Sequence, residues 1–148
     1  MKVIDSNIVI KCFDNKKALP EGELVAPDDL RDEYAVTVEQ HRQEIPGVKL
    51  ASKISGYNEA YYLQRYAYYL NSYKEVYFVQ MRGFADVSIL ALVSCLVTNF
   101  GKQGQQAILD FGIDTPDKIT VITDDKVLTQ SLKKEFDGQI DILGYNDF

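Results

Sequence analysis

Residues 3–10 read VIDSNIVI, a run of Val and Ile interrupted by one carboxylate, Asp5. Burying an unpaired carboxylate among apolar side chains costs several kcal/mol. How the chain accommodates Asp5 therefore decides how this stretch folds. KVI, just before it, has strand composition, which puts Asp5 at the carboxyl end of a first strand. The pattern recurs downstream, where KITVIT (118–123) runs into Asp124 and Asp125. Between them, ELVA (23–26) is a second short strand that meets Pro27. Pro27 suits the first position of a helix, and Asp28 and Asp29 suit its first turn, facing the positive end of the dipole. A helical region is predicted over most of residues 27–100, interrupted at Pro46–Gly47 and near Gly83. The chain ends with a helix-like KVLTQSLKKEF (126–136) and a last strand, QIDIL (139–143). Short strands separated by helices predict an α/β fold, a mainly parallel sheet with helices on both faces. In such sheets ligands bind beyond the carboxyl ends of the strands.

The 148 residues, 46% of them apolar, fit a single domain over 1–148, with no repeat or composition break to mark a second. GFADVSILALVSCLVTNFG (83–101) carries Asp86, Ser88, Ser94, Thr98 and Asn99, so it reads as a buried helix rather than a membrane span. The N-terminus lacks signal-peptide character, and a cytoplasmic protein with no membrane partner is the expectation. Cys12 and Cys95 form no CxxC and read as buried free thiols. A net charge of −6 argues against a broad basic surface for nucleic acid. It leaves room for a metal enzyme, because a divalent cation inverts the field of a carboxylate cluster.

Asp5, Asp124 and Asp125 should share one sheet edge. Glu33 joins them by geometry: Leu30, Tyr34, Thr37 and Val38 define the inward stripe of their helix, and Glu33 lies about 60° from Leu30. Asp86 opens a helix that is apolar nearly all round, so partial burial is predicted. Each acid alone has an ordinary role, as a first-turn acid, an N-cap or a solvated edge residue. As a set they are explained most economically by one shared cation. Carboxylate oxygens without paired His or Cys suit one or two Mg²⁺ or Mn²⁺ ions rather than Zn²⁺.

VIDSNIVI, FADVSILALV and VITDDKVL, with Glu33 in APDDLRDEY, resemble in order and spacing the signature stretches of the PIN-domain ribonucleases. The resemblance spans nearly the whole chain. It implies a three-layer α/β/α fold and metal-dependent hydrolysis of RNA, and the chain length resembles the toxins of bacterial toxin–antitoxin pairs. Carried over by position, Asp5, Glu33, Asp86 and Asp125 match the family's acidic quartet, with Asp124 as the neighbour that competes with Asp125. Ser6 and Asn7 match polar positions that would orient Asp5, and Thr123 would hold the site or cap the next helix. The long stretch GKQGQQAILDFGIDTPDK (101–118) departs from the commonest family pattern.

Lys11, Arg82 and Lys126 stand beside the acid motifs as candidate phosphate contacts, each with an ordinary solvated role as the alternative. His41 is the sole His, so an acid–base His pair is excluded, and no GxGxxG or GxxxxGK cradle is present. SGYNEAYYLQRYAYYLNSYKEVYF (55–78) holds eight of the ten Tyr. Tyr62, Tyr66, Tyr69 and Tyr73 follow helical spacing and read as core. Tyr57, Tyr61 and Tyr68 fall on another face with Arg65, an expected interface for an antitoxin protein or a homodimer ahead of RNA. The alternatives to an endoribonuclease are a PIN-fold binding module with little catalysis and a nuclease acting on DNA.

Overall fold

Alternation along the short strands divides their apolar residues into two sets. Val3, Val25 and Val121 turn to one face, while Ile4, Leu24, Ala26 and Ile122 turn to the other. Both sets are buried, as a parallel sheet covered on two sides requires. The computed structural model describes residues 1–31, 45, 47–74, 84–111 and 118–148, without the side chains of 84 and 99–111. Its strands are β1 (Lys2–Ile4), β2 (Leu24–Ala26), β3 (Val48–Leu50), β4 (Ile119–Ile122) and β5 (Ile140–Leu143). They form one sheet in the order β3-β2-β1-β4-β5, every pair parallel.

Helix α1 (Ser6–Asp14) covers one face, seating Ile8, Val9 and Cys12 against Ile4 and Ile122. Helices α2 (Glu59–Ser72), α3 (Phe84–Phe111) and α4 (Lys126–Glu135) belong to the other, through Tyr69, the run Val87–Val93, Leu128 and Leu132. The architecture is the predicted three-layer α/β/α arrangement. Among the described residues no helix is long and apolar enough to cross a membrane. Cys12 and Cys95 are free and buried, as predicted.

Three local features differ from expectation or add to it. The stretch assigned to helix conceals β3, an edge strand of only three residues that follows Gly47 at φ +81°. It is too short to display a period. The first strand ends before Asp5, as expected, and the apolar run after it lies in the first two turns of α1, where no element was predicted. Tyr57 does not lie on an exposed helix face: it precedes Asn58, whose side chain caps α2, and it packs on the core with its ring 6.0 Å from that of Tyr62. The predicted core stripe does form, with Tyr69 and Tyr73 buried and Tyr62 and Tyr66 packed against the same core. Glu33, His41, Pro46, Arg82 and Gly83 lie outside the described residues, as do 32–44, 75–81 and 112–117.

The chain ends in a clasp. Beyond β5, Lys17 Nζ donates to the Tyr145 carbonyl at 2.6 Å and sits over the rings of Tyr145 and Phe148 at 4.2 and 4.1 Å. The Tyr145 amide donates to Asp124 Oδ1 at 2.9 Å, and Lys11 Nζ reaches Asp124 Oδ2 at 2.7 Å. A Cβ at Gly144 would lie 2.8 Å from Asp124 Oδ1, so a side chain there would displace the Asp124 carboxylate from the clasp. The hydrogen bond from Lys11, and then that from the Tyr145 amide, hold the Asp124 carboxyl below its ordinary range.

Two outcomes follow from this packing. Leu132 is wholly buried, so Leu132→Ala should cost about 2–5 kcal/mol, whereas Leu63→Ala on the exposed side of α2 should cost less than about 0.5 kcal/mol. Equal costs in urea melts would contradict the layering. Because the folded-state pKa of Asp124 is depressed, its contribution is present above the unfolded value of about 3.9 and is lost as pH falls through the folded one. Asp124→Asn should therefore lower the melting temperature at neutral pH, with the gap closing as pH drops below about 4. A gap constant from neutral to acidic pH would count against the clasp.

Candidate metal centre

The strand order reverses between β1 and β4: from β1 the chain builds outward to β2 and β3, and from β4 it builds the opposite way to β5. Helices α1 and α4 leave this junction for opposite faces, which opens a crevice at the carboxyl ends of the two strands. Asp5 follows β1 directly and Thr123 follows β4 directly, with Ile4 and Ile122 in register between them. The two ends predicted to share one edge do so.

Asp5 is 3% exposed. It occupies the N-cap position of α1, yet its side chain caps no helix amide. The carboxylate is turned across the sheet, where Thr123 Oγ1 donates to Oδ2 at 2.7 Å and Ser6 Oγ approaches Oδ1 at 3.4 Å. A hydroxyl can donate and accept at once. Thr123 Oγ1 does both, accepting from the Asp125 amide at 3.1 Å. One side chain thus connects the first acid to the turn that carries the last. Asn7, expected with Ser6 to orient Asp5, is exposed, and Ser6 reaches the carboxylate in a long contact.

The adjacent pair after β4 divides its work. Asp125 is the N-cap of α4: its Oδ1 accepts from the Leu128 amide at 2.9 Å, and its Oδ2 has no hydrogen-bond partner among the described residues. Asp124 has both oxygens engaged by the clasp. Lys11 is committed to Asp124, while Lys126, at the start of α4, is exposed and unpaired among the described residues. Asp86 is partly buried in the first turn of α3, as predicted.

Asp5 and Ser6 form one wall of a narrow cleft completed by Pro27, Asp29, Leu30, Ala85, Ser88 and Ile89. Its free volume is about 10 Å³, close to the least that holds one water or an ion of that size. Ser88, wholly buried in α3, donates to Asp29 Oδ2 at 2.6 Å. Sequence reasoning treated Asp29 only as a first-turn acid and gave Ser88 no site role. The available signal was spacing, since Asp29 stands four residues before Glu33 and Ser88 two after Asp86.

The donors along this edge are carboxylate and hydroxyl oxygens. Such a set fits Mg²⁺ or Mn²⁺ and disfavours softer ions. Burial raises the thiol pKa of Cys12 and pushes that of Cys95 to about 11, which keeps both protonated and unsuited to metal. Among the described residues no three acids, His or Cys converge into a ready-made cage. In comparisons of the chain with family models, with curated proteins and with solved structures, none matched.

Proposed function

We propose that the protein is a Mg²⁺- or Mn²⁺-dependent endoribonuclease of PIN type, acting in the cytoplasm as the toxin of a toxin–antitoxin pair. The observation that carries this reading is the buried carboxylate of Asp5, placed at the strand-order reversal and bonded by Thr123 across the sheet while it caps no amide of its own helix. A structural N-cap would turn to the amides of α1. A carboxylate turned into a crevice beyond two strand ends is arranged for a ligand.

The resemblance supplies the assignment of Asp5, Glu33, Asp86 and Asp125 as the holders of one or two ions. Bound there, the metal would supply Lewis acidity at phosphorus and a water of lowered pKa for in-line displacement. Thr123 holds Asp5 and the Asp125 turn at a set separation. The unengaged Oδ2 of Asp125, against the two engaged oxygens of Asp124, supports Asp125 as the acid of the pair that faces the cation. Lys126 is available for substrate phosphate, whereas Lys11 must first share its ammonium with Asp124. Arg82 is a third candidate by sequence position. A partner surface is favoured on α2, where the Arg65 guanidinium stacks 4.4 Å over the half-exposed ring of Tyr68. Tyr61 is less accessible, its hydroxyl 3.4 Å from Thr98 Oγ1. An antitoxin or a second copy of the chain fits such a patch better than RNA does, given the net charge of −6.

Pure protein should cut labelled RNA with Mg²⁺ or Mn²⁺ and stop in EDTA. Thr123→Val should lower the rate about 10- to 100-fold, as loss of a ligand-orienting group does, and Asp5→Asn, Glu33→Gln and Asp86→Asn should lower it further. Asp125→Asn should exceed Asp124→Asn in effect. Wild-type rates in Asp86→Asn would end the shared-site model. Cleavage of single-stranded DNA alone would make the protein a DNA nuclease, and no metal-dependent cleavage of either polymer would make it a binding module.

A further inference from the structure

Helix α2 turns one side to solvent, and that side carries no charge. Ala60, Leu63, Gln64, Ala67, Tyr68 and Asn71 are exposed, and by helical spacing they occupy one continuous arc. The solvent face of a helix ordinarily carries charge, and charged residues make up 26% of this chain. From Ala60 to Ser72 the sequence holds a single charged residue, Arg65. Leu63 and Tyr68, 56% and 50% exposed, are the most exposed large apolar side chains among the described residues.

Arg65 stands on the flank beside Tyr68, partly withdrawn from water and poorly compensated. A guanidinium carries five N–H donors. Among the described residues it makes one hydrogen bond, from Nη2 to the Tyr69 hydroxyl at 2.9 Å, and no ion pair. Its Nε is sealed from solvent without an acceptor. The rings of Tyr68 and Tyr69, with centroids 4.4 and 4.8 Å from Cζ, hold the group in place. A buried donor without an acceptor costs free energy, and more so in a charged group. A neutral hydroxyl and two rings do not replace a carboxylate, which meets this planar fork with two parallel hydrogen bonds.

We propose that the outer face of α2 docks a partner protein through an apolar segment that carries a carboxylate, the carboxylate pairing with Arg65 while the apolar part covers Tyr68 and Leu63. The inference rests on the reading that α2 carries the partner surface, and it adds the chemistry by which the partner is selected. Tyr and Arg beside an uncharged patch have the composition of an interface hot spot. RNA fits this face less well, because one cation in a chain of net charge −6 does not hold a polyanion. A second copy of the chain also fits less well: its α2 offers no acid but Glu59, about 120° around the helix from Arg65.

The test is selection of random peptides displayed on phage against the pure full chain, followed by affinity measurements on the synthetic peptides. Peptides that bind should share an Asp or Glu beside large apolar residues. Changing that acid to its amide should weaken binding about 30-fold or more, Arg65→Gln should do the same, and the two changes together should cost little more than either alone. Leu63→Ser and Tyr68→Ser should also weaken it. If Arg65→Gln does not fold, the amide peptides and the two exposed-site variants carry the test on the native fold. Peptides that need Leu63 and Tyr68 but bind equally well with the acid changed to its amide would overturn the proposal while leaving the partner surface standing. A dimer of the free protein that Tyr68→Ser dissociates would assign the face to a second copy and overturn the proposal as well. Peptides indifferent to every α2 variant, or no binding peptide at all, would remove both the proposal and the partner surface.

Discussion

The hydrogen bond from Thr123 to Asp5 is the constraint on which the rest of the site depends. A carboxylate that is 3% exposed at the end of a central strand is tolerated only where something compensates its charge. The chain brings a hydroxyl from the neighbouring strand end, 118 residues away, to within 2.7 Å. Because β1 and β4 are parallel and in register, that contact follows from strand pairing and not from loop placement. The same hydroxyl accepts from the Asp125 amide, so the sheet, the start of α1 and the start of α4 share one polar junction. Its position at the reversal of strand order is where doubly wound sheets open to ligands.

Much of this was legible in the residues. β1, β2, β4 and β5 announce themselves as short apolar runs, β-branched most clearly in β4, bounded by turn residues or acids, and the order of strands and helices was enough to infer a parallel sheet. The strand-end acids were legible too, because a carboxylate closing an apolar run is conspicuous. The rest had no local signal. β3 owes its existence to pairing with β2, and three residues cannot express a period. The IVI run of α1 has β-branched composition but lies after an extended N-cap residue, so burial against the sheet overrides propensity. Tyr57 joined the wrong face because the helix boundary at Asn58 could not be placed to one residue.

Long-range pairing accounts for the remaining differences. Asp124 and Asp125 are adjacent acids that the residues alone separate only by resemblance, and the return of the C-terminal residues over the edge separates them in the structure. Tyr145 and Lys11 occupy Asp124, whereas Asp125 spends one oxygen on its own helix. Asp28 and Asp29 separate in the same way, through Ser52 and Ser88. In both pairs the two acids hold different parts of the scaffold, and Asp125 keeps one oxygen without a hydrogen bond among the described residues. An acidic chain can in this way keep a few carboxylates directed at one place while others are neutralised by bonds elsewhere.

The central claim is that Asp5 faces a cation and not its own backbone, and thermal melts of wild type and Asp5→Asn in EDTA and in Mn²⁺ test it most directly. Repulsion among clustered carboxylates is relieved when one is neutralised, on the order of 1 kcal/mol per close pair at a partly solvated site. The account therefore predicts that Asp5→Asn melts in EDTA at or above the wild-type temperature and loses most of the rise that Mn²⁺ confers on the wild type. A lower melting temperature in EDTA with an undiminished response to Mn²⁺ would contradict it.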